Sequence, residues 1–323
     1  MYYLNAESMI SSFSFSGVMD AVANAMIQIE TSPNSLIAPL RNSVSLEKNT
    51  LMMMPCLSEK EWGLKVLTLF PDNPVRLKPF INGLFLLFDG SDGSPSALLD
   101  GRTLTAIRTG GVGGLAVRTL ASTHATRLGI VGAGEQSYWQ VRFACSVRPF
   151  SQVILYDTIE SKAELCAERI RKVLPELEIE ITKDTTFLLK HSDVVITATN
   201  TTTPVFEDSP MYFEGKTFVG IGSYRPDMRE YPDALFRAIS NIFVDTEHAF
   251  DETGDLIEPL QSGVVSKKNI RSMGAFLSRE KADFTAESGA FFKSVGYAAF
   301  DLFVARFLFQ RGVENGKAID LGI

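Results

Sequence analysis

A lysine stands inside an apolar run. In "EWGLKVLTLFPDNP", residues 61–74, Leu64, Val66, Leu67, Leu69 and Phe70 read as a strand that Lys65 interrupts. A strand lysine either snorkels to water from a sheet edge or sits in a pocket, where it can carry a proton. Arg41 in "APLRNSVSL" and Arg108 in "LTAIRTGG" are either surface residues or carboxylate ligands, since a guanidinium offers two parallel N–H groups to one carboxylate. Spacing alone does not say whether the three converge. A different chemistry is written in Gly132, Ala133, Gly134, Glu135, Gln136 and Ser137, a glycine turn between a predicted strand and a predicted helix. The first glycine permits the tight turn, and the second lets backbone approach a pyrophosphate at the positive end of the helix. Asp157 closes the next strand. Its carboxylate suits an adenosine ribose and repels a 2′-phosphate, which favours NAD(H), with NADP(H) tolerated through Ser161 and Lys162. The other reading of the pair is a plain glycine turn and a solvated aspartate.

Elements must hold these residues in place. From "TRLGIVGAG" onward, short apolar runs alternate with helical stretches: "SQVILYD", "EIEITKD", "SDVVITATN", "KTFVGIGS" and "NIFVDT" follow as strands. "TIESKAELCAERIRKVL" is helical by the spacing of Ala163, Ala167, Ile170 and Val173, with Thr158 or Ser161 as its cap. This alternation predicts an α/β, doubly wound parallel sheet. Residues 1–119 read differently, as a helical opening followed by the strands "LMMMPCL", "GLKVLTLF" and "INGLFLLFD". "FDGSDGSPSALLD" is a hairpin by its two Asp-Gly pairs. "FFKSVGYAAFDLFVARFLFQRGVENG" reads as one long apolar helix that returns to the first lobe. The expected domains are therefore 1–119, completed by about 300–323, and 120–299.

Bulk properties exclude several classes. The net charge is −7, and no concentrated basic run suggests a nucleic-acid surface. Cys56, Cys145 and Cys166 show no paired spacing, and His124, His191 and His248 are too scattered for a zinc motif, so no metal is expected. No apolar run approaches a membrane span, and "MYYLNAESMI" lacks the pattern of a signal peptide. A cytoplasmic protein is expected.

"PLRNSV", "MMPC", "GLKVLTLFPDN", "DGRTLTAIRTGG", "GIVGAGEQ", "GSYRPDMREY" and "FFKSVG" together resemble the ornithine cyclodeaminase/mu-crystallin family, in order and over nearly the whole chain. The resemblance implies a Rossmann domain plus a discontinuous α+β lobe that carries a substrate pocket and homodimer contacts. It implies that Arg41 binds a substrate carboxylate and that Met54, beside Pro55, forms a pocket wall. Lys65 stands near the reacting carbon as proton donor or acceptor. Arg108 lies near substrate and nicotinamide at the start of a helix, with Thr109 on the cofactor side. Gly132, Ala133, Gly134, Gln136, Asp157, Thr197, Thr199 and Gly222 correspond to dinucleotide contacts, and Lys293, Ser294 and Gly296 to the segment beside the nicotinamide. Gly110 and Gly111 replace small alanine-like positions and should loosen that helix start by about 1 kcal/mol each.

The stretch "GIGSYRPDMREYPDAL" bears on the reaction. Cyclodeaminases carry an aspartate two residues after the glycine that matches Gly222; here the residue is Tyr224. Asp227 is nearby, with a turn or helix cap as its alternative role. Both are candidate substrate contacts. Without the dedicated carboxylate, the resemblance implies NAD(P)H-dependent reduction of a cyclic ketimine, Δ1-pyrroline-2-carboxylate or its six-membered homologue, to L-proline or L-pipecolate. The alternatives are an ornithine cyclodeaminase, an amino-acid dehydrogenase, a conjugating enzyme and a small-molecule binding protein. Asp301, in the C-terminal helix, is read as a structural or interface acid without chemistry.

Overall fold

The computed structural model describes residues 1–279 and 284–322. The chain divides into two compact units, Met1–Arg108 with Tyr297–Ile323, and Thr109–Gly296. In chain order the first unit opens with β1 (Tyr2–Leu4), α1 (Ala6–Ser12) and α2 (Phe15–Thr31), then β2 (Leu36–Ile37), β3 (Asn42–Leu46), β4 (Asn49–Ser58), β5 (Glu61–Leu69), β6 (Ile81–Asp89) and β7 (Pro95–Asp100). Asp100 accepts the Thr103 N–H at 2.7 Å and starts α3 (Gly101–Leu120), which carries the chain into the second unit. That unit runs β8 (Arg127–Val131), α4 (Glu135–Cys145), β9 (Gln152–Tyr156), α5 (Glu160–Arg171), β10 (Glu178–Ile181), α6 (Thr185–His191), β11 (Val194–Thr197), β12 (Thr217–Gly220), α7 (Asp233–Ala238) and β13 (Ile242–Val244). It ends with α8 (Ala249–Glu252), α9 (Gly254–Gln261), β14 (Ile270–Ser272), α10 (Met273–Ser278) and β15 (Ala290–Lys293), before α11 (Ala298–Glu314) and β16 (Ile319–Asp320) complete the first unit.

The first unit is a mixed sheet in the order β16-β1-β7-β6-β5-β4-β2, with β3 also paired to β4. Met54, Lys65, Phe85 and Leu99 are cross-strand partners along one row, on the face that α11 covers. Alternation sends Trp62, Leu64 and Val66 of β5 to the other face, beside Met53 of β4 and Leu84 and Leu86 of β6. That face is apolar yet partly open, with Trp62 and Leu84 exposed. No single described helix is long and apolar enough to cross a membrane.

The second unit is an all-parallel eight-stranded sheet in the order β10-β9-β8-β11-β12-β15-β13-β14. Its central strands β8, β11, β12, β15 and β13 are buried on both faces and read as unbroken apolar runs, whereas the edge strand β10 alternates as Glu-Ile-Glu-Ile. The order reverses between β8 and β11, so the ends of those two strands form the crevice where such sheets bind ligands.

Four local expectations need correction. "AFFK" is the strand β15, inserted between β12 and β13, and not the start of the last helix. The turn at Gly296, with φ +76°, separates it from α11. The cap of α5 is Ile159, without a side-chain bond, so neither Thr158 nor Ser161 serves. α3 begins at Gly101, so Arg108 lies two turns inside it. Gly110 does not loosen this helix in isolation: a Cβ there would stand 2.6 Å from the buried Phe143 ring.

Gly110→Ala sets helix propensity against close packing. The gain is about 1 kcal/mol, and overpacking a filled core costs about 1–3 kcal/mol. The variant should therefore unfold at a lower urea midpoint than the wild type, despite its better helix former.

Candidate active site

Lys65 lies on an interior strand, buried to 1 % exposure, so the snorkelling alternative fails. Its Nζ donates to Asp301 Oδ2 at 2.6 Å. The other Asp301 oxygen accepts from Arg108 Nε at 3.0 Å. Asp301 is itself fully buried, in the first turn of α11, where the helix dipole favours an acid. Burial pushes the Lys65 amine down to about 8; Asp301 opposes this, and the positive charges of Arg108 and Arg41 add to it. The same burial, with Asp301 nearby, raises the Cys56 thiol to about 12 and keeps it neutral. Tyr297, at the start of α11, donates through its hydroxyl to Ala38 O at 2.7 Å and pins the loop that leads to Arg41. Met54 is buried beside Lys65 on the neighbouring strand. Lys65 and Arg108, with Arg41 close enough to act on Lys65, outnumber the one carboxylate, a balance suited to an anion. The first unit thus gathers Arg41, Met54, Lys65 and Arg108, and adds Asp301. A lone acid in "YAAFDLFVARF" is the sequence signal for it, because an isolated charge on a buried helix face needs a partner.

The glycine turn of the second unit follows β8. Gly132 has φ +90°, and a Cβ there would meet Ala198 O at 2.7 Å across the strand crevice. Gly134 caps α4, and nothing lies within 4 Å of where its Cβ would be. Ser137, where a third glycine is usual, donates to Gly132 O at 2.6 Å and ties helix to turn. Asp157 Oδ2 accepts the Ala133 N–H at 2.8 Å, and Oδ1 the Ile159 N–H at 2.9 Å. The buried Gln136 Oε1 has no hydrogen-bond partner among the described residues. Thr109 is buried, and its carbonyl accepts from Gln140. Open backbone at a helix N-terminus with a carboxylate on the adjacent strand end is a fit for a dinucleotide.

Other expected contacts occupy a buried ionic cluster. Lys293 is fully enclosed, with Nζ 2.9 Å from Asp255 Oδ2 and 3.9 Å from Glu230 Oε2. Glu230 accepts from Thr197 Oγ1, from Thr199 N and Oγ1, and from the Gly222 and Ser223 N–H groups. Asp255 Oδ1 accepts the N–H groups of Glu230 and Tyr231. Burial raises the Glu230 carboxyl above its ordinary range, against the pull of Lys293. Asp245 Oδ2 similarly gathers Ser294 Oγ and the Val295 and Gly296 N–H groups. Thr197, Gly222, Lys293, Ser294 and Gly296 are thus joined to buried acids at the ends of β11, β12 and β15. Sequence reasoning missed Glu230, Asp245 and Asp255, whose importance comes only from burial. Tyr224 is half-buried, whereas Asp227 is exposed and bonds Arg225 at 3.1 Å.

Lys293→Met would leave two carboxylates buried without a counter-charge, a loss of about 3–5 kcal/mol. Glu230 would then bind a proton more readily in the folded chain than in the unfolded one, so the variant's thermal midpoint should climb as pH falls from neutrality through the raised Glu230 pKa.

The chain is similar to several known proteins. A Δ1-pyrroline-2-carboxylate reductase of Bacillus cereus is 37% identical over 294 residues, 89% of this chain and 90% of that protein. The mouse ketimine reductase mu-crystallin is 29% identical over 280 residues, 85% of each chain. The structure of Thermococcus litoralis Δ1-pyrroline-2-carboxylate reductase in complex with NADH and L-proline superposes with a TM-score of 0.89 at 27% identity, covering 99% of this chain and 100% of that one. The profile of the ornithine cyclodeaminase/mu-crystallin family matches residues 3–316, and the chain belongs to that family.

Proposed function

We propose that the chain is an NADH-dependent reductase of Δ1-pyrroline-2-carboxylate, forming L-proline. The observation that carries this is the buried Lys65, held by Asp301 beside Arg108 on the expected substrate unit. NADH, when bound, supplies a hydride to the imine carbon. Gly132, Ala133, Gly134 and Gln136 would hold its pyrophosphate end and Asp157 its ribose, with Thr109, Thr199 and the Ser294–Gly296 segment on the nicotinamide side. NADP(H) is the poorer fit, because Asp157 places a negative charge where a 2′-phosphate would lie.

Arg41 and Arg108 take the imine's carboxylate, and Met54 supports the ring. Lys65 Nζ gives a proton to the imine nitrogen, which makes the neighbouring carbon a better hydride acceptor. The C=N double bond becomes C–N, with one new C–H and one new N–H, and Lys65 is left neutral until water reprotonates it. A group titrating near 8 can do both at neutral pH. The loop after β12 offers Tyr224 and an Asp227 already bonded to Arg225, not the free carboxylate that cyclodeamination calls for. The five-membered ring follows the Bacillus cereus and Thermococcus litoralis relatives.

The outer face of the first unit's sheet, with Met53, Trp62, Leu64, Val66, Leu84 and Leu86, fits a second copy of the chain, giving a homodimer. Leu64→Asp should shift the protein from dimer to monomer in size-exclusion chromatography with light scattering. Wild-type protein should oxidise NADH in the presence of Δ1-pyrroline-2-carboxylate and release no ammonia from L-ornithine with NAD. Lys65→Met should lower kcat by about 10²–10⁴-fold. Ammonia release by the wild type, or an unimpaired Lys65→Met, would overturn the assignment.

A further inference from the structure

Asp301 is the group through which the first unit's chemistry is assembled. It comes from α11, separated by 236 residues from Lys65 and by 193 from Arg108, yet each of its oxygens serves one of them. By occupying Arg108 Nε, it fixes the plane of the guanidinium and leaves the two terminal nitrogens to present a flat edge to an anion. We infer that Asp301 is a positioning residue that keeps Lys65 charged and aimed while it orients Arg108 toward the ketimine carboxylate. This rests on the reductase assignment for its substrate, but its physical core concerns only the three side chains.

The charges around Lys65 are accounted for on every element packed against it. α11 presents Asp301, and one turn further on Arg306, which is engaged with Glu61 at 3.2 Å. α3 presents Arg108, and the loop before β3 contributes the charge of Arg41. β4 presents Met54 and the neutral Cys56, and β6 presents Phe85. Asp301 is the one anion among these that bonds the lysine. Take its charge away and two cations remain to expel the proton that the imine nitrogen requires. The opposite charge sign holds in the reverse direction, where L-proline must lose a proton and neutral Lys65 is the useful form. One substitution therefore moves the alkaline limb of reduction and the acid limb of oxidation together along the pH axis, which loss of packing does not do.

The experiment compares wild type with Asp301→Asn, and with Asp301→Ser in case the amide donors facing two cations prevent folding. Three quantities are read. The first is the pH profile of kcat/KM for imine reduction. The second is the profile for L-proline oxidation. The third, taken without cofactor or substrate, is the titration of the Lys65 amine by ¹⁵N NMR, its signal identified by absence from Lys65→Met. The alkaline limb of reduction and the acid limb of oxidation should both move to lower pH by about 1–3 units, with the lysine titration moving alongside. KM for the imine should rise as Arg108 loses its anchor. Asp301→Glu, which restores the charge, should return both limbs toward wild type. A uniform loss in both directions with unmoved limbs and an unmoved lysine titration would overturn the inference. If the wild type reduces no imine, the reductase assignment falls, and the NMR titration alone still decides for or against Asp301.

Discussion

A single carboxylate shared between two buried cations organises the first unit. Asp301 cannot be buried alone, because an unpaired charge in an apolar interior is too costly to keep. Lys65, in the middle of a sheet, has the same difficulty. Their pairing at 2.6 Å offsets both costs and fixes α11 over β5 at one register, since a shift by one residue would separate the charges. The C-terminal return of the chain is thus required by electrostatics as well as by the apolar face that α11 covers. With Arg108 on the other Asp301 oxygen, the group holds more positive than negative charge.

The second unit solves a similar problem with the signs reversed. Glu230, Asp245 and Asp255 are buried acids, answered by one lysine and by many backbone N–H groups. Each lies at the carboxyl end of the parallel sheet, where loops leave the strands and have no ladder to order them. Glu230 bonds the loops after β11 and β12 together, and Asp245 orders the turn after β15. These loop ends are thus held in place by buried side chains rather than by a strand ladder.

The two faces of the first unit's sheet are used differently. Strand alternation sends Lys65 and Met54 inward and Leu64 and Val66 outward. The inward row carries the buried Lys65, while the outward row stays apolar and partly uncovered within one chain. A one-residue slip would exchange the two rows, so the hydrogen-bond register of β4, β5 and β6 determines which side chains each face presents.

The sequence by itself determined the class of fold, the glycine turn, the Asp157 position and the identities of Arg41, Lys65 and Arg108 as chemically unusual. These are local: a turn needs glycine, a buried parallel strand needs an apolar run, and a charge inside such a run stands out. Tertiary structure alone decided the rest. "AFFK" looked like the start of the last helix because apolar periodicity cannot separate a short buried strand from a helix; its place between β12 and β13 made it a strand. Gly110 looked like a weak point in a helix until Phe143 was seen to fill the space. Lys293, expected beside the nicotinamide, proved also to be a buried counter-ion. Asp301 looked inert, because its meaning lies in partners 236 and 193 residues away. Sequence patterns register what a residue needs locally; only folding decides which distant group supplies it.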